Sequence, residues 1–114
     1  MVEPLNTKPI IAKLLEKTQA GRVDWEDHGS GFQCNLDGEY FFRTYKAEDT
    51  YVIAMLDKYQ HEIFRETATE EIYYRDPHDE ERLQLFQDLY ELARRRAVKA
   101  NEQIAGVDAV LDKI

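Results

Sequence analysis

Apolar residues recur along this chain first at helical spacing, then at alternate positions, then at helical spacing again. In residues 9–19, Ile10, Ile11, Leu14 and Leu15 fall at i, i+1, i+4 and i+5, which gathers them on one face of a short helix. Pro9 suits the first helical position, with Thr7 or Lys8 as the cap. Gly21 suits the stop, because glycine accepts the left-handed conformation that closes many helices. From Val23 the period drops to two. Val23 and Trp25 alternate with Asp24 and Glu26, and beyond the turn residues His28-Gly29-Ser30-Gly31 the residues Phe32, Cys34 and Leu36 alternate with Gln33 and Asn35. Asp37-Gly38 is a two-residue hairpin signal leading into a strand over residues 39–45. A polar link over 46–49 precedes residues 51–56, apolar on both faces and so predicted as a strand inside the sheet. After a turn at 57–60, residues 61–66 are more charged and read as an edge strand. Residues 67–71 fit strand or loop, and Ile72, Tyr73 and Tyr74 fit either an extension of the sheet or a cover for its end.

Asp76-Pro77 opens the second helical segment, with Asp76 as cap and Asp79, Glu80 and Glu81 near the positive end of the helix dipole. The pattern runs to about Ile104: Leu83, Phe86, Tyr90, Ala93, Ala97, Ala100 and Ile104 recur at steps of three or four, and Leu85, Leu89 and Leu92 widen the stripe. Large side chains give way to alanines, which fits close approach to the first helix or to a copy of the same helix. Gly106 is expected to end or bend this helix. Val107, Val110, Leu111 and Ile114 then define a short helical tail that must dock on something, because eight residues do not hold a helix alone. Helix, about five antiparallel strands, long helix and short tail make a single α+β domain over residues 1–114, with the helices on one face of the sheet.

Composition narrows the classes. The chain has 114 residues, 15 Lys and Arg against 23 Asp and Glu for a net charge of -8, and an aromatic content of 11% that disordered acidic chains lack. No apolar run approaches the roughly 18 residues of a membrane span, and the first residues lack a secretory signal pattern, so the cytoplasm is expected and a membrane partner is not. The acidic balance disfavours nucleic acid. Arg94-Arg95-Arg96 is the local exception, yet three consecutive helical residues splay over about 200 degrees and so cannot face one phosphate. Glu91 is positioned to pair with Arg95, and Arg94 to meet Tyr90, at i, i+4.

Candidate chemistry is sparse. His28, His61 and His78 fall in separate turns or element ends, whereas a metal site needs ligands converging on one point. The lone Cys34 shares a strand face with Phe32 and Leu36, the setting of a small buried hydrophobe rather than a nucleophile. Asp24, Glu26 and Asp27 flank Trp25 as carboxylates, but alternation places Asp24 and Glu26 on a solvated face. Trp25 itself is expected to fill the core between the first helix and the sheet, with Thr18 and Gly21 forming the helix end and turn. No dinucleotide, phosphate-loop or nucleophile-elbow motif is present. No catalytic, cofactor-binding or metal-binding residue is assigned, and no cofactor is expected.

The stretch Leu14-Leu15-Glu16-Lys17-Thr18-Gln19-Ala20-Gly21 with Trp25 after it, and Leu89-Tyr90-Glu91-Leu92-Ala93-Arg94-Arg95 downstream, resembles a loose group of small uncharacterised bacterial proteins. These share a leucine pair, Thr-x-x-Gly, a following Trp, a strand meander and a Leu-rich helix. The resemblance implies a bacterial cytosolic domain and carries no catalytic residue with it.

The remaining signal is association. Tyrosines at 40, 45, 51, 59, 73 and 74 exceed what a core of this size needs, and tyrosine favours interfaces. The expected function is a non-enzymatic domain that binds a protein partner through the open sheet face or the C-terminal helix, with Tyr40, Tyr45, Tyr51, Arg94 and Arg95 as the interaction surface. Acidity favours a basic partner, as in an immunity, antitoxin-like or regulatory role. The rival expectation is a small-ligand binder or enzyme with a pocket between sheet and helices near Trp25 and Tyr40. Homo-oligomerisation through the Ala-rich half of the long helix and the tail is compatible with both.

Overall fold

The alternating segment folds into five strands: β1 (Trp25–His28), β2 (Gly31–Leu36), β3 (Tyr40–Ala47), β4 (Thr50–Asp57) and β5 (Glu62–Thr69). They form one antiparallel meander in sequence order. Helix α1 (Lys8–Gln19) precedes them and α2 (Pro77–Asp112) follows, giving the expected α+β architecture. The computed structural model describes residues 7–70 and 77–114. The Asp76 cap and residues 72–74 lie outside this described set.

Register assigns each strand residue to a face. Trp25, Cys34, Phe42, Met55 and Phe64 are cross-strand partners in one row, and that face carries the core. The next row, Glu26, Gln33, Arg43, Ala54 and Arg65, belongs to the opposite face. The β2–β3 connection spans Asp37, Gly38 and Glu39 between the partners Leu36 and Tyr40, one residue longer than the expected two-residue turn, with Asp37 and Gly38 both at positive φ (56° and 74°). Asn35 Oδ1 accepts the Gly38 N–H at 2.6 Å. The polar link at 46–49 is shorter than its composition implied. Ala47 pairs with Thr50, and only Glu48 and Asp49 turn the corner, Glu48 at φ 56°. β5 runs on through Thr67 to Thr69 along the sheet edge, which resolves that part of the open segment as strand. A register shift beside Met55 and Leu56 leaves Ile63 out of the pairing, and its side chain is exposed.

Both helices cover the core face. Ile11 and Leu14 of α1 and Leu83, Phe86 and Leu89 of α2 are buried with Trp25, Phe42 and Ile53. Thr7 makes no side-chain cap; its hydroxyl donates instead to Glu66 of β5 at 3.1 Å. α2 crosses the sheet from β5, where Arg82 donates to Glu66 at 2.6 Å and to the Thr67 carbonyl at 2.9 Å. Further along, Tyr90 packs its ring 5.6 Å from both Phe32 and Tyr51, and Ala93 and Ala97 are buried behind it.

The expected break at Gly106 does not occur. α2 is one helix of 36 residues, roughly 54 Å long, and the segment beyond Gly106 is its continuation rather than a separate docked tail. A single helical glycine costs only about 1 kcal/mol, and with no proline nearby the hydrogen-bonded turns continue through it. Residues 101–114 are exposed throughout. They extend past the sheet as an arm, which accounts for the 63 Å long dimension of the molecule.

Candidate interaction surfaces

The arm is the most apolar exposed feature among the described residues. Ile104, Val107, Val110 and Leu111 each keep more than half of their surface in water, and Ile114 keeps 97%. Ala100, Gln103, Ile104, Val107, Asp108 and Leu111 line a shallow apolar groove along it. Isolated helices of this length are marginal in water, and here neither the sheet nor α1 supports the exposed stripe.

The sheet face turned away from the helices is different. No described helix lies on it, yet Val52, Ala54 and Leu56 at its centre are buried. In register they are flanked by Arg43 and Tyr45 on β3 and by Arg65 and Thr67 on β5. Arg43 is latched across this face, its Nε on Gln33 at 2.6 Å and its terminal nitrogen on Gln60 at 2.8 Å, while Arg65 holds Glu62 at 2.6 Å. The described face thus presents mutually bonded polar side chains together with the half-buried Phe41 and Tyr45.

The five expected surface residues are dispersed. Tyr40 is exposed at the start of β3, and by register it belongs to the helix-side face near Leu36. Tyr45 is half-buried on the opposite face. Tyr51 is a core residue, 5% exposed, with its ring against Tyr90. Its hydroxyl reaches the surface pair Lys46 and Glu70, whose charged groups lie 3.3 Å apart. Those hydrogen bonds hold the Glu70 carboxyl below its usual range and the Lys46 ammonium above its own. Arg94 and Arg95 are exposed on α2, before the arm; Arg94 lies 3.8 Å from Glu91, a pairing at i, i+3 instead of the expected Glu91–Arg95 contact.

Two concavities border the sheet. One, of about 320 Å³, lies under α1 between Pro9, Ile10, Lys13, Leu14 and Lys17 on one side and Val23, Leu36 and Phe42 on the other. The other is a polar hollow beside Trp25, formed with Asp24, Glu26, Asn35, Asp37 and Gly38. Trp25 is 3% exposed, and its indole N–H is taken by Thr18. Cys34 is buried, and that burial pushes its thiol up to about 12, the direction of a core thiol rather than a nucleophile. Among the described residues no three His, Cys, Asp or Glu side chains gather as a metal site, and no helix is long and apolar enough to cross a membrane.

Sequence reading found the arm's apolar positions but assigned them to a docked tail. The signal against that assignment was the unbroken alternation of three- and four-residue steps from Leu83 through Gly106 to Ile114. The groove under α1 lies between helix and sheet, where the rival expectation put a pocket, but its lining residues come from segments separated in sequence and joined only by the packing of α1, so they were not named from the sequence. No protein-family model, curated protein or solved structure matches this chain.

Proposed function

We propose that this protein is a binding module that acts by protein–protein docking, with the arm of α2 as its docking element. One observation carries this reading: a helical segment with an apolar stripe of Ile104, Val107 and Leu111 that no other described part of the chain covers. Covering one such side chain yields about 1–2 kcal/mol, so a partner that buries the stripe both gains affinity and supplies the tertiary support that the helix lacks. The opposite sheet face supports docking less well, because its central aliphatics are already buried and its arginines are bonded within the face. The polar hollow beside Trp25 gives the ligand-binding alternative little support, since the Trp25 ring is packed into the core and its one donor is taken.

The test uses the whole isotope-labelled chain, observed by NMR alone and in a cell lysate, beside the variant Ile104→Ser, Val107→Ser, Leu111→Ser. Docking predicts that backbone signals of residues 100–114 broaden selectively in the native chain, whether on concentrating it or on adding lysate. The variant keeps its sheet signals and loses the broadening. Sharp, concentration-independent arm signals in both proteins, unchanged by lysate, would overturn the reading.

A further inference from the structure

Helix α1 is tied down at both ends, and the groove lies beneath the span between the ties. At its start Thr7 donates to Glu66 of β5, and Lys8 pairs with Glu81 of α2 at 2.6 Å. At its end Thr18 accepts from Trp25 of β1. Between these ties α1 turns Ile11 and Leu14 into the core, while the neighbouring row of Ile10, Lys13 and Lys17 forms the helical wall of the groove. Val23, Leu36 and Phe42 make the facing wall, and Val23 and Phe42 are buried. At about 320 Å³ the cavity lies at the lower end of the range of small-molecule pockets, and the anchored helix makes it pre-formed.

The charge around this groove is of one sign. Lys13 and Lys17 line it beside six apolar residues, and no acid is among the lining residues, although the chain as a whole carries 23 acids against 15 bases. Neither lysine has an ion-pair partner among the described residues. Like charges one helical turn apart repel each other, and an anion held between them relieves that repulsion. Both lysines are exposed, so their aliphatic stems extend the apolar wall while their ammonium groups stay at its rim in water. We propose that this groove binds a monocarboxylate with an unbranched apolar tail, a medium-chain fatty acid. Its carboxylate sits between Lys13 and Lys17, and its tail lies between Ile10 and the wall of Val23, Leu36 and Phe42. The volume sets the tail: a methylene fills roughly the ~30 Å³ that a water molecule fills in the liquid, so about ten carbons occupy the cavity. One such tail fits and a second does not, which favours a free fatty acid over a two-chain lipid. The site is separate from the arm of α2 and does not rest on docking there.

Octanoate is the probe, titrated into the whole isotope-labelled chain well below its micelle concentration and followed by NMR. Octanol, with the same tail and no charge, is titrated beside it. Amide signals of residues 10–17, 23, 36 and 42 are expected to shift and saturate, with octanoate bound about five- to tenfold more tightly than octanol. From butanoate through hexanoate to octanoate, affinity should rise about two- to fourfold per methylene. Lys13→Gln combined with Lys17→Gln changes only exposed side chains, so the fold is kept. That variant should lose the five- to tenfold advantage of octanoate and bind octanol as the native chain does. Shifts that never saturate, or that fall on residues 100–114 instead, overturn the groove as the site, the second result naming the arm's stripe as the acceptor. Affinity that does not grow with the tail overturns the apolar seat. Octanol bound as tightly as octanoate, or octanoate binding unchanged by the two glutamines, overturns the carboxylate.

Discussion

Trp25 donates its indole N–H to the hydroxyl of Thr18 at 3.1 Å, and that hydroxyl in turn donates to the carbonyl of Leu14 at 2.8 Å. Both side chains are buried, so this chain of bonds fastens the last turn of α1 to the first strand inside the core. It also makes a polar group at the end of a helix tolerable in the interior, because every donor in it has an acceptor.

Replacing Thr18 by Val keeps the shape and removes both bonds, leaving the Trp25 N–H unpaired in the core. The expected loss is about 1–3 kcal/mol of stability, whereas Thr18→Ser, which keeps the hydroxyl, should recover most of it. Urea unfolding followed by Trp25 fluorescence measures both. Equal stability of Val and Ser variants would show that the bond contributes nothing.

Gly31 opens β2 directly opposite Tyr45. A β-carbon there would come within 2.5 Å of the Thr44 carbonyl oxygen and 2.6 Å of the Tyr45 Cβ, and the first of these is backbone that cannot rotate away. Gly31→Ala is therefore expected to cost about 1–3 kcal/mol, as overpacking does, and to disturb the β2–β3 register in amide spectra. Gly29→Ala, two residues earlier, meets open space but sits at φ 64°, so its cost is conformational and about 1 kcal/mol. Thermal unfolding of the two variants should rank them in that order.

Thr44 presents the reverse case. Its side chain is fully buried in β3, and its hydroxyl finds no hydrogen-bond partner among the described residues. Valine has nearly the same shape, suits a strand and brings no unpaired oxygen, so Thr44→Val should raise stability by up to about 1 kcal/mol. A destabilised valine variant in denaturant unfolding would mean that the hydroxyl is satisfied in solution.

How far the sequence foretold this fold depends on the range over which each signal acts. Alternation and turn chemistry are local, and they placed the strands, the Asp37-Gly38 hairpin, the edge position of β5 and the burial of Cys34 and Trp25. Tyr51 was harder. Its alternation marked it as strand but not which face it would take, and only the crossing of Tyr90 over that strand turns its ring into core and its hydroxyl toward Lys46 and Glu70. Gly106 was misread for a related reason: a glycine stops a helix when the next residues leave the helical period, and here Val107 and Leu111 keep it. The arm's exposure was invisible locally, since an amphipathic stripe has one pattern whether or not something covers it.

The Glu70 carboxyl is held below its usual range, first by the Tyr51 hydroxyl and then by Lys46. A depressed folded value means that its contribution to stability is complete above the unfolded carboxyl range and disappears as pH falls through the folded value. Glu70 sits at the surface, so the effect on unfolding is small and best seen directly. Carbon-detected NMR titration should find Glu70 titrating below its ordinary carboxylate value in the native chain, and moving up in Tyr51→Phe, which removes the larger cause while keeping the ring. No movement in that variant would assign the depression to Lys46 and Gln87 instead.

Gly106 meets no neighbouring atom that an added methyl would touch, and its φ is ordinary for a helix. Alanine there removes backbone freedom from the unfolded arm at no steric cost, so Gly106→Ala should stabilise the helical arm by about 1 kcal/mol. The gain belongs to residues near 106 and not to the core, because residues 101–114 are exposed and unfold without disturbing the sheet. Amide exchange should therefore slow about fivefold in the arm of a dilute sample while core amides keep their rates. If docking selects the helical arm, the same substitution tightens association by up to the same factor, since a partner no longer has to order that segment. An arm that becomes more helical without binding more tightly would mean that its conformation in the docked state is not the continuous helix seen here.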